Sequence, residues 1–382
     1  MLLRALCDAA IDAANRAGKH AGRVVVVPGT ADGVQRAHAL SAQDGLFTLV
    51  ERGLIGGKPF EQTTLIGSIS RALSADAAAP SDMRVIISNV SEAGFHRDAP
   101  FPTRLAAVLH ARFTHAPDAP LFVIPTELVP DNGPRLAGMV DAMTAQHPRA
   151  FRDWLKSRVR FCSSLVDRIV TAPSPEQHAA LEATLGYRDA LLTVSEPYAF
   201  WAIEADPSEL RATFPIESAH VVFAPDITFY RERKLRLLNA VHTATAPLAL
   251  LAGIRTVREA TAHPQLGPFM RRLLFDEIIP VTGLPTDQAR AFAAEVLERF
   301  ANPWLEHEYR VIATNQEEKF RIRVAPIIVA SFRTRGVAEA PSALVLATVA
   351  HLKFIGAPLE ALGDVARIPE FARAVEDALQ CT

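Results

Sequence analysis

Pro120-Leu-Phe-Val-Ile124 is a short apolar run, and its reading decides the fold. It follows Thr103 to Phe113, whose apolar spacing predicts a helix, and it stops at the polar pair Thr126-Glu127. Two earlier runs have the same character. Arg84-Val-Ile-Ile-Ser88 ends at Asn89, and Arg23-Val-Val-Val-Val27 ends at Pro28-Gly29. Short apolar strands that alternate with helices predict an α/β domain on a parallel sheet, buried on both faces. Ligands of such sheets bind at the carboxyl ends of the strands, so Pro28-Gly29, Ser88-Asn89 and Thr126-Glu127 are the places to look for one. Between the first two runs, Leu46 to Arg52 and Gln62 to Ile69 predict the arms of a hairpin turning at Gly53-Leu-Ile-Gly-Gly57. Leu191 to Ala202 and His220 to Phe223 add further strand-like segments.

The bulk composition narrows the function. The chain has 382 residues, 49% of them hydrophobic and 21% charged, which suits two globular domains. A net charge of −2 gives no field that would favour nucleic acid or a membrane surface. Cys7, Cys162 and Cys381 are widely spaced and form no CxxC pair, so disulfides and a zinc-thiolate centre are not expected and a reducing cytoplasm fits. The apolar run Ala246 to Ile254 is too short to span a bilayer. Arg4, Asp8 and Asp12 interrupt any apolar leader core.

From about Tyr230 the pattern becomes helical, over Arg231 to Gly253, Val257 to His263, Pro268 to Ile279, Thr286 to Phe300 and Ser342 to Ile355. Pro247 is expected to kink or end the first of these. The domain boundary is therefore placed at residue 230, giving domains 1–230 and 231–382. The first helix carries Lys234-Leu-Arg-Leu-Leu-Asn239-Ala-Val-His242. On an ideal helix Asn239 lies about 140° from Lys234 and His242 about 80° from it, so an amine, an amide and an imidazole can share one pocket. Such a set can move a proton while a hydride leaves or joins the same carbon. The plainer alternatives stay open on spacing alone: a solvated cationic helix end for Lys234, a local hydrogen bond for Asn239, and a packed core histidine for His242.

Taken in order, several segments resemble the long-chain, polyol-specific mannitol dehydrogenase family. They include Gln43-Asp-Gly-Leu46, Ser88-Asn-Val-Ser-Glu-Ala-Gly94, Thr126-Glu-Leu-Val-Pro-Asp-Asn-Gly133, Leu165-Val-Asp-Arg-Ile-Val170, Glu196-Pro-Tyr198, Tyr230 to Thr243, Gly253 to Glu259, Asn302-Pro303 and Lys319-Phe320. The Lys-x4-Asn-x2-His element looks like the family's catalytic signature. The family's mannitol-type members carry an Asp-Asn pair where this chain has Glu127-Leu128, and Glu-Leu there is a habit of the tagaturonate reductase branch. Met1-Leu-Leu-Arg-Ala-Leu6 resembles the helix start that follows the family's first strand and glycine turn; a start codon called too late is the favoured explanation of their absence.

The resemblance implies an α/β, Rossmann-type N-terminal domain lacking that first strand and turn, and a mainly α-helical C-terminal substrate domain. It implies a metal-free, NAD-dependent reduction of D-tagaturonate to D-altronate in hexuronate breakdown, by a cytoplasmic monomer or homodimer. Fructuronate reductase, mannitol dehydrogenase and a non-catalytic family member are the alternatives. Lys234 matches the general acid/base, Asn239 the amide that stabilises the oxyanion, and His242 the ligand of a substrate hydroxyl. Arg233 and Arg236 are candidate cationic neighbours of Lys234. Asp167, Lys319 and Asn132 match substrate-binding positions. Ser88, Asn89, Glu92, Thr126 and Glu127 are the candidate cofactor contacts. Lys319, Arg321 and Arg231 are candidate partners for the carboxylate of an acid sugar. Against these readings, Asp167 can pair with Arg168, Lys319 can belong to a surface charge run, His307 can be a packed helix histidine, and Tyr198 and Trp201 suit packing.

Overall fold

The computed structural model describes residues 31–43, 46–67, 83–90, 94–171, 173–214, 216, 218–335 and 341–380. The helix start at 1–6, the strand at 23–27, the Pro28-Gly29 turn and Glu92 lie outside the described residues. The chain divides into two compact units. One holds Met1–Glu51 and Gln62–Ile227, the other Arg52–Glu61 and Thr228–Thr382. No described helix is long and apolar enough to cross a membrane.

In the first unit, α1 (Ala31–Ala42) leads into β1 (Leu46–Ile55) and β2 (Lys58–Gly67). The hairpin turns on Gly56 and Gly57, whose φ angles of 58° and 74° only glycine adopts at little cost. Next come β3 (Val85–Ser88), α2 (Pro100–His115), β4 (Leu121–Pro125), α3 (Asn132–Met143), α4 (Arg149–Arg158) and β5 (Val159–Phe161). β3, β4 and β5 form a parallel sheet, with Ile86 opposite Val123 and Ser88 opposite Pro125. All five residues of β4 are buried, as an apolar run covered on both faces requires.

The remaining strands are β6 (Ser164–Asp167), β7 (Val170–Thr171), β8 (Thr193–Ser195), β9 (Phe200–Glu204) and β10 (Val221–Ala224), with α5 (Pro175–Leu185) and α6 (Pro207–Thr213) between them. The single parallel sheet expected from sequence is replaced here by three small sheets among the described residues. β6 runs antiparallel to β9 and β7 antiparallel to β8. Leu191 to Ala202 breaks into two strands, because Pro197 cannot donate to a ladder. α3 and α4, absent from the sequence reading, cover the parallel sheet. Leu136, Val140, Phe151 and Trp154 pack there with Leu121 and Val123. Gly133 is forced by contact, since a Cβ would stand 2.5 Å from the Ser163 backbone nitrogen.

The second unit is helical apart from the hairpin tip. α7 (Thr228–Lys234) passes through a π-helical turn, Leu235–Asn239, into α8 (Ala240–Leu251). Then follow α9 (Val257–Ala262), α10 (Leu266–Arg272), a second π turn at Leu273–Ile278, α11 (Thr286–Phe300), α12 (Tyr309–Ile312), α13 (Gln316–Arg323), α14 (Ala325–Arg335), α15 (Ser342–Ile355) and α16 (Pro369–Gln380). Pro247 neither ends nor interrupts α8, which runs on to Leu251. Proline leaves the carbonyl four residues back without its amide partner. That carbonyl belongs to Thr243, and Gln316 Nε2 donates to it at 2.9 Å.

Candidate active site

Two groups of the expected residues are assembled, one in each unit. In the first unit, the carboxyl ends of β3 and β4 bring Ser88, Asn89, Thr126 and Glu127 into one hydrogen-bonded set. The Thr126 hydroxyl donates to the Ser88 carbonyl at 2.7 Å, and Asn89 Nδ2 donates to Thr126 Oγ1 at 2.9 Å. Glu127 accepts from the Val90 amide at 3.0 Å and from Ser88 Oγ at 3.1 Å. Burial raises the Glu127 pKa above the usual carboxylate value, and these hydrogen bonds oppose the rise.

Asn132 is nearby in the fold, and its side chain is committed to the backbone. Nδ2 faces the carbonyls of Pro125, Glu127 and Ser164 at 2.9–3.1 Å, while Oδ1 accepts from the Ser164 amide at 2.9 Å. This amide ties the loop after β4 to β6, and two N–H donors already meet three acceptors. Asp167 is buried at the end of β6. Arg168, its expected partner, reaches the Glu51 carboxylate and the Glu196 carbonyl. Trp201 is fully buried in the core beside Phe214, a packing role.

In the second unit the π turn alters the geometry derived from an ideal helix. The Ala240 amide bonds back to the Leu235 carbonyl, five residues away instead of four. A turn closed at i+5 rotates each residue by roughly 80° instead of 100°, which brings both Asn239 and His242 to within roughly 50° of Lys234. The amine, amide and imidazole are therefore closer to one row than the sequence spacing alone implies. Lys234 is only 8% exposed and His242 5%.

His242 stacks on Phe300 with centroids 4.1 Å apart and meets the edge of His307 at 4.9 Å. Neither of its ring nitrogens has a hydrogen-bond partner among the described residues. Burial, then the neighbouring His307, Arg299, Arg323 and Lys234, hold its pKa well below the usual histidine value, so the ring is neutral. His307, left undecided by sequence, belongs to the same cluster. It is fixed by the Thr256–Glu308 bridge and by its carbonyl accepting from the Val257 amide at 3.0 Å. Burial first, then Arg299, lowers its pKa to about 4.

The other expected cations fall in different places. Lys319 Nζ donates to the Ile312 carbonyl at 2.8 Å. Arg321 is 74% exposed with Glu318 4.0 Å away, a poor position for gripping a substrate. Arg233 lies over the Phe292 ring at 4.4 Å, and Arg236 pairs with Glu232 at 3.0 Å. Sequence reasoning missed the surroundings of His242, namely Phe300, Arg299 and Arg323, and the Thr243–Gln316 contact beside it. The only sequence signal for Gln316 was a proline in a helix whose Thr243 carbonyl needed a donor.

A buried amine, a half-buried amide and a buried neutral imidazole brought towards one side of the helix can pass a proton to an oxygen, steady the charge on it and hold a neighbouring hydroxyl. Among the described residues no group of three or more His, Cys, Asp or Glu side chains could hold a metal ion.

Comparison with known proteins identifies both halves of the chain. Residues 4–214 match the model of the mannitol dehydrogenase Rossmann domain, and residues 226–356 match that of the mannitol dehydrogenase C-terminal domain. The altronate oxidoreductase of Klebsiella pneumoniae (strain 342) is 38% identical over 379 residues, covering 92% of this chain and 77% of the relative. That of Cronobacter sakazakii is 37% identical over the same span. Among solved structures, Pseudomonas fluorescens mannitol 2-dehydrogenase in ternary complex with NAD and D-mannitol superimposes with a TM-score of 0.74 at 22% identity, covering 99% of this chain and 89% of that one. A substrate-free D-sorbitol dehydrogenase gives 0.76 at 17% identity, covering 92% and 85%. These two support the fold, a Rossmann-type unit followed by a helical one. The chain belongs to the mannitol dehydrogenase family of oxidoreductases.

Proposed function

We propose that this protein is an NAD-dependent sugar-acid oxidoreductase that reduces D-tagaturonate to D-altronate reversibly. The observation that carries the reading is the row Lys234, Asn239, His242 across the π turn, with His242 neutral and both its nitrogens available. The substrate is inferred from relatives named altronate oxidoreductase, and from Glu127-Leu128 at the place where mannitol-type members carry an amide.

A dinucleotide suits the first unit. β3 and β4 are parallel, and their carboxyl ends present Ser88, Asn89, Thr126 and Glu127, where open α/β sheets hold such cofactors. These residues would hold the NAD, which when bound supplies the hydride for reduction and takes it in oxidation. In reduction, the Lys234 ammonium passes its proton to the carbonyl oxygen as that oxygen gains charge. In oxidation the amine takes the proton back from the alcohol. Asn239 Nδ2 donates to the same oxygen, and His242 orients an adjacent hydroxyl. We assign cofactor binding to 1–230 and substrate chemistry to 231–382. We assign Asp167 and Lys319 to the substrate's remaining hydroxyls, and keep Asn132 as the tie between β4 and β6. The enzyme is taken to act in the cytoplasm, as a monomer or homodimer.

The deciding experiment follows NADH oxidation with D-tagaturonate, D-fructuronate and D-fructose in parallel. Preference for D-tagaturonate is the expected result. A preference for D-fructuronate or D-fructose would reassign the substrate, and silence with all three would overturn the enzymatic reading.

A further inference from the structure

Resting on the proposed function, the imidazole of His242 takes a substrate hydroxyl, and the structure sets a second imidazole against it. His307 stands edge-on to His242, with ring centroids 4.9 Å apart and planes at 79°. The rings do not bond to each other. Both nitrogens of His242, and Nδ1 of His307, are without a hydrogen-bond partner among the described residues. Three such nitrogens in one buried cluster point to a polar ligand, because buried polar atoms are almost always hydrogen-bonded.

Both rings are held in place. His307 lies on a segment tied to the chain just before α9. Its carbonyl accepts from the Val257 amide at 3.0 Å, and the Tyr309 amide donates to the Arg255 carbonyl at 2.9 Å. Between these two bonds Thr256 bridges Glu308. His242 is fixed in turn by the Phe300 ring, stacked on it at 4.1 Å. Little ordering is left for a ligand to impose, as suits a site that reads positions on a flexible chain.

The character of the pair selects the ligand. Burial, with Arg299 nearby, keeps both rings neutral. A neutral imidazole presents one N–H and one lone pair, and a hydroxyl both accepts and donates. A carboxylate only accepts, so it would leave the lone pairs unanswered. A divalent cation would sit beside Arg299 and Lys234, the cations that already act on His242, and they would repel it. A sugar acid carries hydroxyls on successive carbons, so two imidazoles in contact match two neighbouring hydroxyls.

We propose that His307 is a second substrate-binding residue: it holds the hydroxyl one carbon beyond the one held by His242, so that the pair reads two consecutive hydroxyls of the substrate.

The test is steady-state kinetics on the full chain with NADH, using D-tagaturonate and its analogue with hydrogen in place of the hydroxyl two carbons from the carbonyl carbon. Wild type is expected to show a KM about 30-fold higher for the analogue, the loss that follows when a buried polar group is left unpaired. His307→Phe keeps a flat ring for packing and removes the nitrogens. It should raise the KM for D-tagaturonate by a similar factor and no longer distinguish the two substrates. His307→Asn keeps a polar atom near the place of Nδ1 and should fall between. A His307→Phe enzyme that still prefers D-tagaturonate by the wild-type factor overturns the proposal while leaving the enzyme reading intact, as does a KM for D-tagaturonate within about threefold of wild type. A wild-type chain that ignores D-tagaturonate overturns both. Should His307→Phe fail to fold, the wild type decides: KM values for the two substrates within about threefold of each other overturn the assignment.

Discussion

Lys234 sits where a helix changes its hydrogen-bond register, and its amine is the only group in the Lys-Asn-His row able to give a proton as an ammonium at neutral pH. His242 is held neutral by burial and cationic neighbours, and Asn239 does not titrate. Lys234→Ala is therefore expected to lower kcat by about 10²–10⁴-fold, the usual contribution of general acid–base catalysis. NADH binding, followed by fluorescence titration, should be unchanged. A variant within a few-fold of the wild-type rate would remove Lys234 from the chemistry. At this scale the sequence was informative only in part: with the plainer alternatives left open, the types and spacing of the three residues were legible. Their true alignment was not, because the π turn depends on a hydrogen bond between Ala240 and Leu235 that no residue type announces.

Among the elements, α8 depends on a neighbour. Its proline costs an isolated helix about 3 kcal/mol, and Gln316 supplies the donor that Pro247 lacks. Gln316→Ala leaves the Thr243 carbonyl without this donor, and unfolding free energy should fall by about 1–3 kcal/mol. The double variant with Pro247→Ala provides the control. There the backbone N–H of residue 247 can take up the carbonyl, so Gln316→Ala should cost clearly less than in the wild-type background. Additive losses in denaturant melts would disprove the link. α11 and α15 were legible to the residue from their apolar spacing. β3 and β4 of the parallel sheet were legible to within a residue or so, because a buried run between turn residues has few other fates, whereas β5 (Val159–Phe161) was not read. α3 and α4 were not read from sequence. Nor was the antiparallel pairing of β6 and β7, since pairing partners are set by long-range packing.

For the molecule as a whole, acid is the condition to watch. His242, His307 and His351 all have native pKa values below the ordinary 6.5, and burial takes His307 and His351 to about 4. A lowered native pKa means that the unfolded chain binds the extra proton between those values. The stability is complete above about pH 6.5 and declines as pH falls, by up to about 1.4 kcal/mol per pH unit for each histidine. Glu127, pushed upward, acts in the opposite sense over part of this range, but one carboxyl does not offset three imidazoles. Thermal melts should show a midpoint clearly lower at pH 5 than at pH 7.5. A flat or rising midpoint on acidification would contradict the histidine assignment.

The division of the chain has a consequence for anyone who would take it apart. The polypeptide leaves the first unit at Arg52, returns at Gln62 and leaves again at Thr228. Within the second unit, the hairpin tip places the Gly57 amide on the Glu298 carboxylate and the Arg52 carbonyl on Asn302 Nδ2. A gene fragment starting at Thr228 therefore encodes the helices but omits ten residues of their own unit. Its product would present Glu298 and Asn302 without these two partners, so the faithful piece is a fusion that carries the tip back in, and the two-part architecture is not a plan for cutting.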